Sequence, residues 1–292
     1  MVKKIENLFK KLFIGGEWSI AFKNINHKDY QVKIENNKDY WGADPFLWKY
    51  KGDYYLFCEK YLRNKDKGVI GVFKIEENFK LLDMGIVLEE NYHLSYPQIF
   101  SLNGTIYMIP ESSGNHTVDL YKCVEFPMKW VKCKNILRNI YAVDTNTIDI
   151  NEKIYMITYV YKENVPYLQV YIFDEKFSAK LIYEKKYLVN IGRGAGNIFI
   201  NQNKLIRPTQ NQKQKYGESV IFNEILDIEG YTEKEVGKLT IDDISVIGQN
   251  KYKRIHTYNR LDDIEVIDVR SEKFDMFLAY KKMRRRLYNN GR

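Results

Sequence analysis

The feature that most constrains the fold of this chain is a hairpin pattern that recurs at a nearly constant spacing. Residues 44–59, 96–111 and 144–159 align without gaps, with turns at one shared offset: Lys51-Gly52, Asn103-Gly104 and Asn151-Glu152. Residues 195–210 fit the same frame with a turn at Gln202-Asn203, and residues 242–257 fit it more weakly. A period near 50 residues made of hairpins is typical of propellers, with one four-stranded blade per period. The sequence therefore predicts an all-β, five-bladed β-propeller.

The predicted propeller accounts for residues 1–292 as a single domain, with blade starts near residues 44, 96, 144, 195 and 242. Predicted strands at residues 18–22 and 30–34 precede the first repeat, and residues 264–269 supply an outer strand to an incomplete fifth repeat. We therefore expect the N-terminal strands to close the ring, which removes a free sheet edge. Apolar residues at helical spacing predict short terminal helices at residues 1–16 and 274–288.

The net charge of +8 is concentrated at the two ends of the chain. Residues 1–12 carry a net charge of +3 and residues 281–292 one of +6, so the body between them is close to neutral. A nucleic-acid-binding protein is expected to carry basic residues across its working face, so nucleic acid is not expected as a partner. The basic ends either cap the propeller through their apolar faces or contact an anionic membrane surface.

Several other signals are missing from the sequence. Three cysteines without CxxC spacing and four scattered histidines predict no bound metal, and no cofactor motif is present. The chain has no apolar leader and no run of about 18 apolar residues, so we expect a cytoplasmic protein, with any membrane contact at the inner face. P-loop, GxSxG, HExxH and DxD motifs are absent, which argues against the corresponding chemistries.

The repeat alignment gathers polar residues from distant parts of the chain at one end of the predicted tunnel. Because the innermost strand of each blade lines the tunnel, the side chains at the strand starts converge on one mouth. The strand starts contribute Trp41, Asp44, His93, Ser95, Tyr96, Asp144, Arg193 and Asn197, and the ends of the second strands contribute Glu59, Glu111, Arg207, Gln210 and His256. Carboxylates and arginines bind hydroxyls or phosphates, and Trp41 and Tyr96 offer stacking surfaces, so this composition predicts a sugar site.

Each of these residues also has an ordinary structural explanation when it is taken alone. An aspartate before a proline is a common turn former, as at Asp44, and a glutamate that ends a strand can simply be solvated. Aspartate, asparagine, glycine and proline are poor strand residues, so their recurrence at equivalent places favours the functional interpretation. The glycine-rich segment at residues 192–196 does not open a helix, and we interpret it as a close approach of the backbone at the mouth.

An ordered series of short motifs resembles a known family. The motifs are WGADPF (41–46), HLSYPQ (93–98), PES (110–112), VDT (143–145), RGAG (193–196), RPTQ (207–210) and YG (216–217). Together they are similar to the propeller domain at the N-terminus of plant glucosamine inositolphosphorylceramide transferases, over residues 38–260. The resemblance adds Tyr216 to the substrate-binding residues. In the plant proteins the recognised glycosyltransferase domain is a separate C-terminal one.

A more distant resemblance links the chain to five-bladed glycoside hydrolases of the arabinanase and β-xylosidase type. In those enzymes an aspartate in the place of Asp44 is the general base of an inverting mechanism. The resemblance thus implies that Asp44 is the base and that Asp144 tunes its pKa. The hydrolases take their general acid from a later blade, where this chain has Gly194, Gly196 and Asn197. Glu111 is the nearest substitute, and Glu59 is another.

These observations favour a carbohydrate-active enzyme, with glycosyl transfer from an activated sugar in cell-surface glycan biosynthesis as the first hypothesis. A nucleotide or phosphate leaves as a stable anion, so transfer needs no general acid, and Arg193 and Arg207 are available to stabilise the anion. The expected partners are a sugar nucleotide or sugar phosphate and a glycan acceptor. Two alternatives remain open: an inverting glycoside hydrolase, and a non-catalytic propeller that binds a glycan or a partner enzyme.

Overall fold

The computed structural model describes residues 14–34, 36–174 and 176–274, which form the five blades of a propeller. The first two strands of the chain are β1 (Ile14–Asn24) and β2 (Asp29–Ile34). Blade one contains β3 (Tyr40–Tyr50), β4 (Asp53–Leu62), β5 (Lys67–Ile75) and β6 (Leu81–Leu88), and blade two contains β7 (Ser95–Leu102), β8 (Thr105–Ser112), β9 (Thr117–Glu125) and β10 (Lys129–Arg138). The prediction of an all-β, five-bladed propeller is confirmed.

The other three blades follow in chain order. Blade three contains β11 (Tyr141–Ile150), β12 (Lys153–Lys162), β13 (Val165–Phe173) and β14 (Ala179–Lys186). Blade four contains β15 (Ile191–Gly194), β16 (Phe199–Asn201), β17 (Lys204–Asn211), β18 (Ser219–Asp227) and β19 (Thr232–Leu239), and its innermost strand is split into β15 and β16. Blade five contains β20 (Ser245–Ile247), β21 (Tyr252–Leu261) and β22 (Ile264–Phe274), together with β1 and β2. Single 3₁₀ turns lie at Glu77–Phe79, Ser113–Asn115 and Ile241–Asp243.

The turns that defined the repeat are the tight hairpin turns of blades one to four. Both residues of each turn have positive φ: 51° and 90° at Lys51-Gly52, 49° and 73° at Asn103-Gly104, 53° and 65° at Asn151-Glu152, and 48° and 61° at Gln202-Asn203. Two consecutive residues with positive φ are the mark of type I′ turns, whose twist matches that of the flanking strands. Asparagine and glycine at these positions explain why the repeat is visible in the sequence.

The ring closes through the N-terminal strands, as expected. In blade five the strand order from the tunnel outward is β21, β22, β1 and β2, and β1 pairs with β22 over its whole length, from Ile14 with Phe274 to Asn24 with Ile264. The short strand β20 pairs in parallel with β2 at the outer edge. The last sheet therefore joins the two ends of the described chain.

The predicted start of the fifth blade at residue 242 is wrong. Residues 241–247 form a 3₁₀ turn and the outer strand β20, and the innermost strand begins at Tyr252. Ile244 and Val246 pack on the core between blades four and five, so they alternate with polar residues in the sequence. This alternation resembles that of an innermost strand and led to the wrong start. As a consequence, His256 lies on the innermost strand and not at the end of a second strand, and residues 264–269 belong to the second strand.

Five apolar clusters hold the blades together, one at each junction between neighbouring blades. Between blades one and two, for example, Phe57 and Val72 pack against Met108 and Trp130. The junction between blades five and one buries Phe22 and Val266 against Leu56, and the other three junctions are built in the same way. Because every junction carries its own core, the propeller is a rigid frame for the residues at the tunnel mouth.

The two predicted terminal helices lie mainly outside the described residues. Where the predictions overlap the described chain, residues 14–16 and 274 are in β1 and β22 and are not helical. Among the described residues, no helix is long and apolar enough to cross a membrane.

Candidate active site

The innermost strands of blades one, two and three share a backbone irregularity at the mouth of the tunnel. Their pairing with the second strand skips two residues there, and Asp44, Tyr96 and Asp144 have φ values of 48°, 47° and 47°. A residue with a side chain costs about 1–3 kcal/mol in such a conformation, and this strain is typically found where function requires it. The repeated bulge therefore marks the mouth as the candidate functional surface.

Carboxylates link these bulges from blade to blade. Asp268 accepts a hydrogen bond from the backbone N–H of Asp44 at 3.1 Å, Asp44 from that of Tyr96 at 3.3 Å, and Glu111 from that of Asp144 at 3.3 Å. In each pair the acceptor comes from the preceding blade of the ring. The predicted carboxylates therefore hold the bulges in place as well as lying at the mouth.

One side of the mouth is formed by a histidine cluster, which consists of Asp44, His256 and Asp268. Nε2 of His256 lies 3.1 Å from Oδ1 of Asp44, and its Nδ1 lies 2.7 Å from Oδ2 of Asp268. Burial alone would lower the pKa of His256, but the two aspartates outweigh it and raise the pKa to about 10. The imidazole is thus held as a cation between two carboxylates, with Trp18 packed against its ring at a centroid distance of 4.0 Å.

The other side is formed by an arginine cluster, which consists of Glu111, Asp144 and Arg193. Arg193 donates from Nε to Oδ2 of Asp144, and from Nη2 to Oδ1 of Asp144 and Oε2 of Glu111, the last two at 3.2 Å. Gln210 donates to Asp144 at 2.8 Å. Burial raises the pKa of Asp144 well above its usual value; Arg193 opposes the shift, and Glu111 adds to it. Asp144 therefore binds Arg193 in a site that disfavours its own charge.

Glu59 lies close to the histidine cluster and is almost fully buried. Burial, followed by the charge of Asp44, raises the pKa of Glu59 well above its usual value. Its Oε1 is buried without a hydrogen bond and lies 3.3 Å from Nε2 of His93. His93 accepts a hydrogen bond at Nδ1 from the N–H of Gly68 at 3.0 Å, so in its neutral form the proton is on Nε2, facing Glu59. Burial and the charge of Asp44 favour the protonated form of Glu59, and they outweigh the opposing effect of the two nearby histidines.

The glycine-rich segment at residues 192–197 approaches the other blades closely, as the sequence suggested. A Cβ at Gly194 would lie 2.6 Å from the Tyr96 hydroxyl, and one at Gly196 would lie 2.0 Å from the carbonyl oxygen of Tyr258. Gly196 also has a φ of 131°. Only glycine fits these positions without moving the neighbouring backbone. The segment brings Arg193 to the mouth from blade four.

Two of the predicted substrate-binding residues are buried in structural contacts. Tyr96 has no exposed surface, and its hydroxyl accepts a hydrogen bond from the N–H of Gly196 at 2.8 Å, so it anchors the glycine-rich segment and offers no stacking face. Arg207 is 1% exposed and donates to the carbonyl of Gly192 at 2.6 Å and to Glu233 at 3.3 Å. Its place on β17 directs it into blade four, which corrects its predicted role in holding an anion.

Two aromatic residues remain accessible near the mouth. Trp41 is partly exposed and stacks on Tyr61 with a centroid distance of 4.6 Å, which covers one face of its ring. Tyr216 is 38% exposed and packs edge-on against Trp18. Burial of its hydroxyl end raises the pKa of Tyr216 well above its usual value, with Arg193 opposing the shift. Tyr216 therefore reaches from solvent towards both clusters.

The other predicted residues lie around these clusters. Ser95 is buried at the start of β7, directly opposite Glu111. Asn197 is partly exposed, and its N–H donates to the side chain of Asn259 at 2.7 Å. Asn259 was missed because the fifth repeat was placed out of register.

Asp268 and Trp18 were also missed, for related reasons. Asp268 lies opposite the bulge at His256 and Thr257 and accepts the N–H of both, at 3.2 and 2.9 Å. Correct alignment of the fifth hairpin would have placed it at the mouth. Trp18 reaches the site from β1, a strand that belongs to no repeat, so no spacing in the sequence points to it.

Within the described ranges, the histidine cluster is a group whose oxygen and nitrogen atoms converge closely enough to ligate a metal ion. A metal ligand must be a neutral imidazole, whereas both nitrogens of His256 face carboxylates and the ring is held as a cation. A metal ion would therefore have to displace a strongly held proton.

A cleft lies at the opposite end of the propeller, at the hairpin turns of blades five and one. Asn24, Gly52 and Lys74 are among the residues that line it, and none of the mouth residues does.

Sequence comparison finds a matching family and curated relatives of the chain. Residues 17–277 match the family described as glucosamine inositolphosphorylceramide transferase 1, N-terminal. A curated relative, glucosamine inositolphosphorylceramide transferase 1 of Arabidopsis thaliana, is 32% identical over 208 residues, which cover 66% of this chain and 27% of that protein. The chain thus spans about a quarter of the length of that relative.

Comparison with solved structures gives the fold. The α-L-arabinanase of Cellvibrio cellulosa aligns with a TM-score of 0.51 and 14% identity, covering 76% of this chain and 90% of that one. The β-xylosidase RS223 aligns with a TM-score of 0.57 and 13% identity, covering 80% of this chain and 92% of that one. Both resemblances predicted from the motifs are therefore confirmed. At these identities the structural likeness concerns the propeller fold alone.

Proposed function

We propose that this chain, which belongs to the glucosamine inositolphosphorylceramide transferase N-terminal family, acts on a carbohydrate at the tunnel mouth and transfers a glycosyl group there. The observation that carries the proposal is the contrast between two neighbouring carboxyl groups. Asp44 is paired with a cationic histidine, whereas burial and the charge of Asp44 favour the protonated form of Glu59. Neighbouring acidic groups in opposite environments are the usual arrangement for acid–base catalysis.

In this proposal Asp44 is the general base. It removes the proton from the hydroxyl group that attacks the anomeric carbon, either of an acceptor glycan or of water. His256 pairs with Asp44 and, together with the N–H of Tyr96, fixes its orientation. Asp44 is 5% exposed, so the mouth surrounds the reacting group with protein and excludes most of the water.

The leaving group departs on the side where Arg193 and Tyr216 meet. Arg193 is buried against Asp144 and Glu111, and its side chain remains 20% exposed at the mouth. A sugar nucleotide or sugar phosphate as donor and a glycan hydroxyl as acceptor fit this arrangement. The relative's name links that protein to a ceramide-linked inositol phosphate, and we extend this carbohydrate chemistry to cell-surface glycan assembly on the cytoplasmic side of the membrane.

Glycoside hydrolysis is a second candidate, because Glu59 supplies a group that favours its protonated form. A glycosidic oxygen leaves as an alcohol and needs a proton, which a buried carboxylic acid can donate. Arg207 is bound to Glu233, so the mouth has fewer arginines for an anionic leaving group than the sequence predicted. In this case Glu59 is the acid and Asp44 activates water.

Substitution of Asp44 tests both candidates against a binding-only propeller. We expect Asp44→Asn to lower turnover of sugar nucleotides, sugar phosphates or aryl glycosides by at least about 100-fold, the range for loss of a general base, while ligand affinity changes little. Asp262→Asn is the matched control, since Asp262 lies on the surface and pairs with exposed Lys49. Saturable glycan binding by the wild type without turnover of any of these substrates would replace the enzyme with a binding protein.

A further inference from the structure

A pair of arginines lies beside the mouth on blade five, outside both charge clusters. Arg254 on β21 and Arg270 on β22 are directly opposite each other in the sheet, and Trp18 on β1 is opposite Arg270 in turn. Like charges at directly opposed positions of neighbouring strands destabilise a sheet. Two arginines at such a place therefore need a compensating negative charge.

The protein supplies only part of that charge. Arg254 donates from Nε and Nη2 to Oε1 of Glu272, at 3.1 and 2.7 Å, and from Nη1 to the carbonyl of Tyr216 at 3.0 Å. Arg270 makes no hydrogen bond or ion pair within the described part of the chain, although it is partly buried. Burial, with a further contribution from Arg254, lowers the pKa of Arg270. The pair thus carries one uncompensated positive charge.

The position of Arg270 is built into the fold. Its guanidinium lies over Gly16, where a Cβ would come within 2.5 Å of Nε, and 6.0 Å from the centre of the Trp18 ring. The Trp18 ring packs on His256 at 4.0 Å. Gly217 passes close to both Trp18 and Arg254 and holds Tyr216 over the mouth. Arg270 is therefore joined to the proposed base through two packed rings.

We propose that Arg270 and Arg254 bind a phosphate group of the substrate at the rim of the mouth. The planar guanidinium of Arg270 can donate two hydrogen bonds to phosphate oxygens, and Arg254, which already donates to Glu272 and Tyr216, adds a second positive charge beside it. This inference rests on the proposed function, and it adds a contact from blade five to the phosphate that is proposed to lie between Arg193 and Tyr216. It places the phosphate near Tyr216 and the sugar between the two clusters.

Binding of phosphate compounds to the full chain tests this proposal without any need for turnover. Isothermal titration with uridine diphosphate and with myo-inositol 1-phosphate distinguishes a nucleotide from a lipid headgroup as the source of the phosphate. We expect saturable binding of at least one probe, weakened by added salt because the contacts are ionic. Arg270→Gln should weaken it at least tenfold, and Arg138→Gln, a change at an exposed arginine of blade two, should leave it unchanged.

A thermal-unfolding series adds a second measurement that does not depend on catalysis. In buffer without phosphate, Arg270→Gln should unfold at a temperature close to that of the wild type, because the loss of the contact with Trp18 is offset by relief of the repulsion from Arg254. With the bound probe, the wild type should be stabilised and Arg270→Gln should not.

Two results would overturn the proposal: absence of saturable binding of both probes, or equal affinity of Arg270→Gln and the wild type. Asp44→Asn should bind the probes normally. Loss of turnover in that variant together with no phosphate binding would remove this inference and leave the proposed function intact. Phosphate binding by a wild type that turns over no substrate would keep this inference and remove the proposed function.

Discussion

The histidine and arginine clusters at the mouth each pair two carboxylates with one cation, and they differ in whether that cation can release a proton. His256 is a titratable cation with a pKa raised to about 10, whereas Arg193 remains charged at every accessible pH. The histidine cluster is also more deeply buried: Asp268 has no exposed surface, while the side chain of Arg193 is 20% exposed. We therefore expect the proposed proton transfer on the histidine side and the proposed contact with an anion on the arginine side.

The largest effect is expected at Asp268, the deepest residue of the histidine cluster. Asp268→Asn removes one counter-ion of His256 and weakens the bonds to three backbone N–H groups. Loss of one partner of a buried ion pair costs about 3–5 kcal/mol, so the free energy of unfolding in urea should fall by about that amount. Asp262→Asn on the surface should change it by less than about 0.5 kcal/mol. An unfolding free energy equal to that of the wild type would show that the histidine cluster does not stabilise the fold.

The pH dependence of stability separates the two clusters. The pKa of His256 is raised from 6.5 in the unfolded chain to about 10 in the fold, so its stabilising contribution is complete below about pH 6.5 and is lost as the pH rises through 10. One linked proton contributes at most about 1.4 kcal/mol per pH unit in this window. Relative to the wild type, His256→Gln should therefore lose less stability between pH 7 and pH 10.

Arg193 itself does not titrate between pH 7 and pH 9, so the arginine cluster has no titrating cation to match His256 in this window. Identical slopes for the wild type and His256→Gln would contradict the assignment of a proton to the histidine cluster.

Arg193→Gln is expected to have the next largest effect on stability. It leaves Asp144 and Glu111 without their shared cation, and partial exposure of the site lets water replace part of the lost interaction. We expect a loss of about 2 kcal/mol, below the range for a fully buried pair. The double variant Arg193→Gln with Asp144→Asn should recover part of this loss, since it removes the unpaired charge as well. A double variant no more stable than Arg193→Gln would argue against coupling of these two residues.

The smallest expected effect is an increase in the free energy of unfolding, on substitution of Glu59. Burial raises the pKa of Glu59 well above 4.5, so ionisation of this group destabilises the fold as the pH rises above the usual carboxyl range. Glu59→Gln removes that cost and should raise the free energy of unfolding at neutral pH by about 1 kcal/mol, while it abolishes proton donation. A stabilised variant with reduced hydrolysis would support the acid role, and a destabilised variant would contradict the buried, protonated state.

The sequence predicted well the features that depend on residues close together in the chain, such as the hairpin turns. Asn103 and Gly104 specify a type I′ turn by themselves, and the repeat of such turns predicts the blades. Asp44, Glu111 and Asp144 were brought to one mouth because they occupy matching places in that repeat. The fifth blade was placed out of register since its third and fourth strands come from the N-terminus, and pairing partners such as Ile20 and Asp268 are far apart in the chain.

The roles of individual side chains depended on contacts that no repeat contains. Arg193 and Arg207 have the same chemistry, but β17 directs Arg207 into blade four and the glycine-rich segment brings Arg193 to the mouth. Tyr96 was expected to face a sugar and is covered by Gly196. The pKa of Glu59 depends on how completely the neighbouring blades bury it, which is a property of the assembled propeller.

The contrast between Asp44 and Glu59 is tested most directly by observing the Glu59 carboxyl group itself. Carbon-13 NMR of the protein labelled at glutamate side-chain carboxyls, titrated from acid to neutral pH, reports its ionisation, and the signal absent from Glu59→Gln assigns it. We predict that this signal titrates well above pH 4.5. A Glu59 signal that ionises at or below pH 4.5 would contradict the account, because Glu59 would then be charged at neutral pH and the mouth would lack its acid.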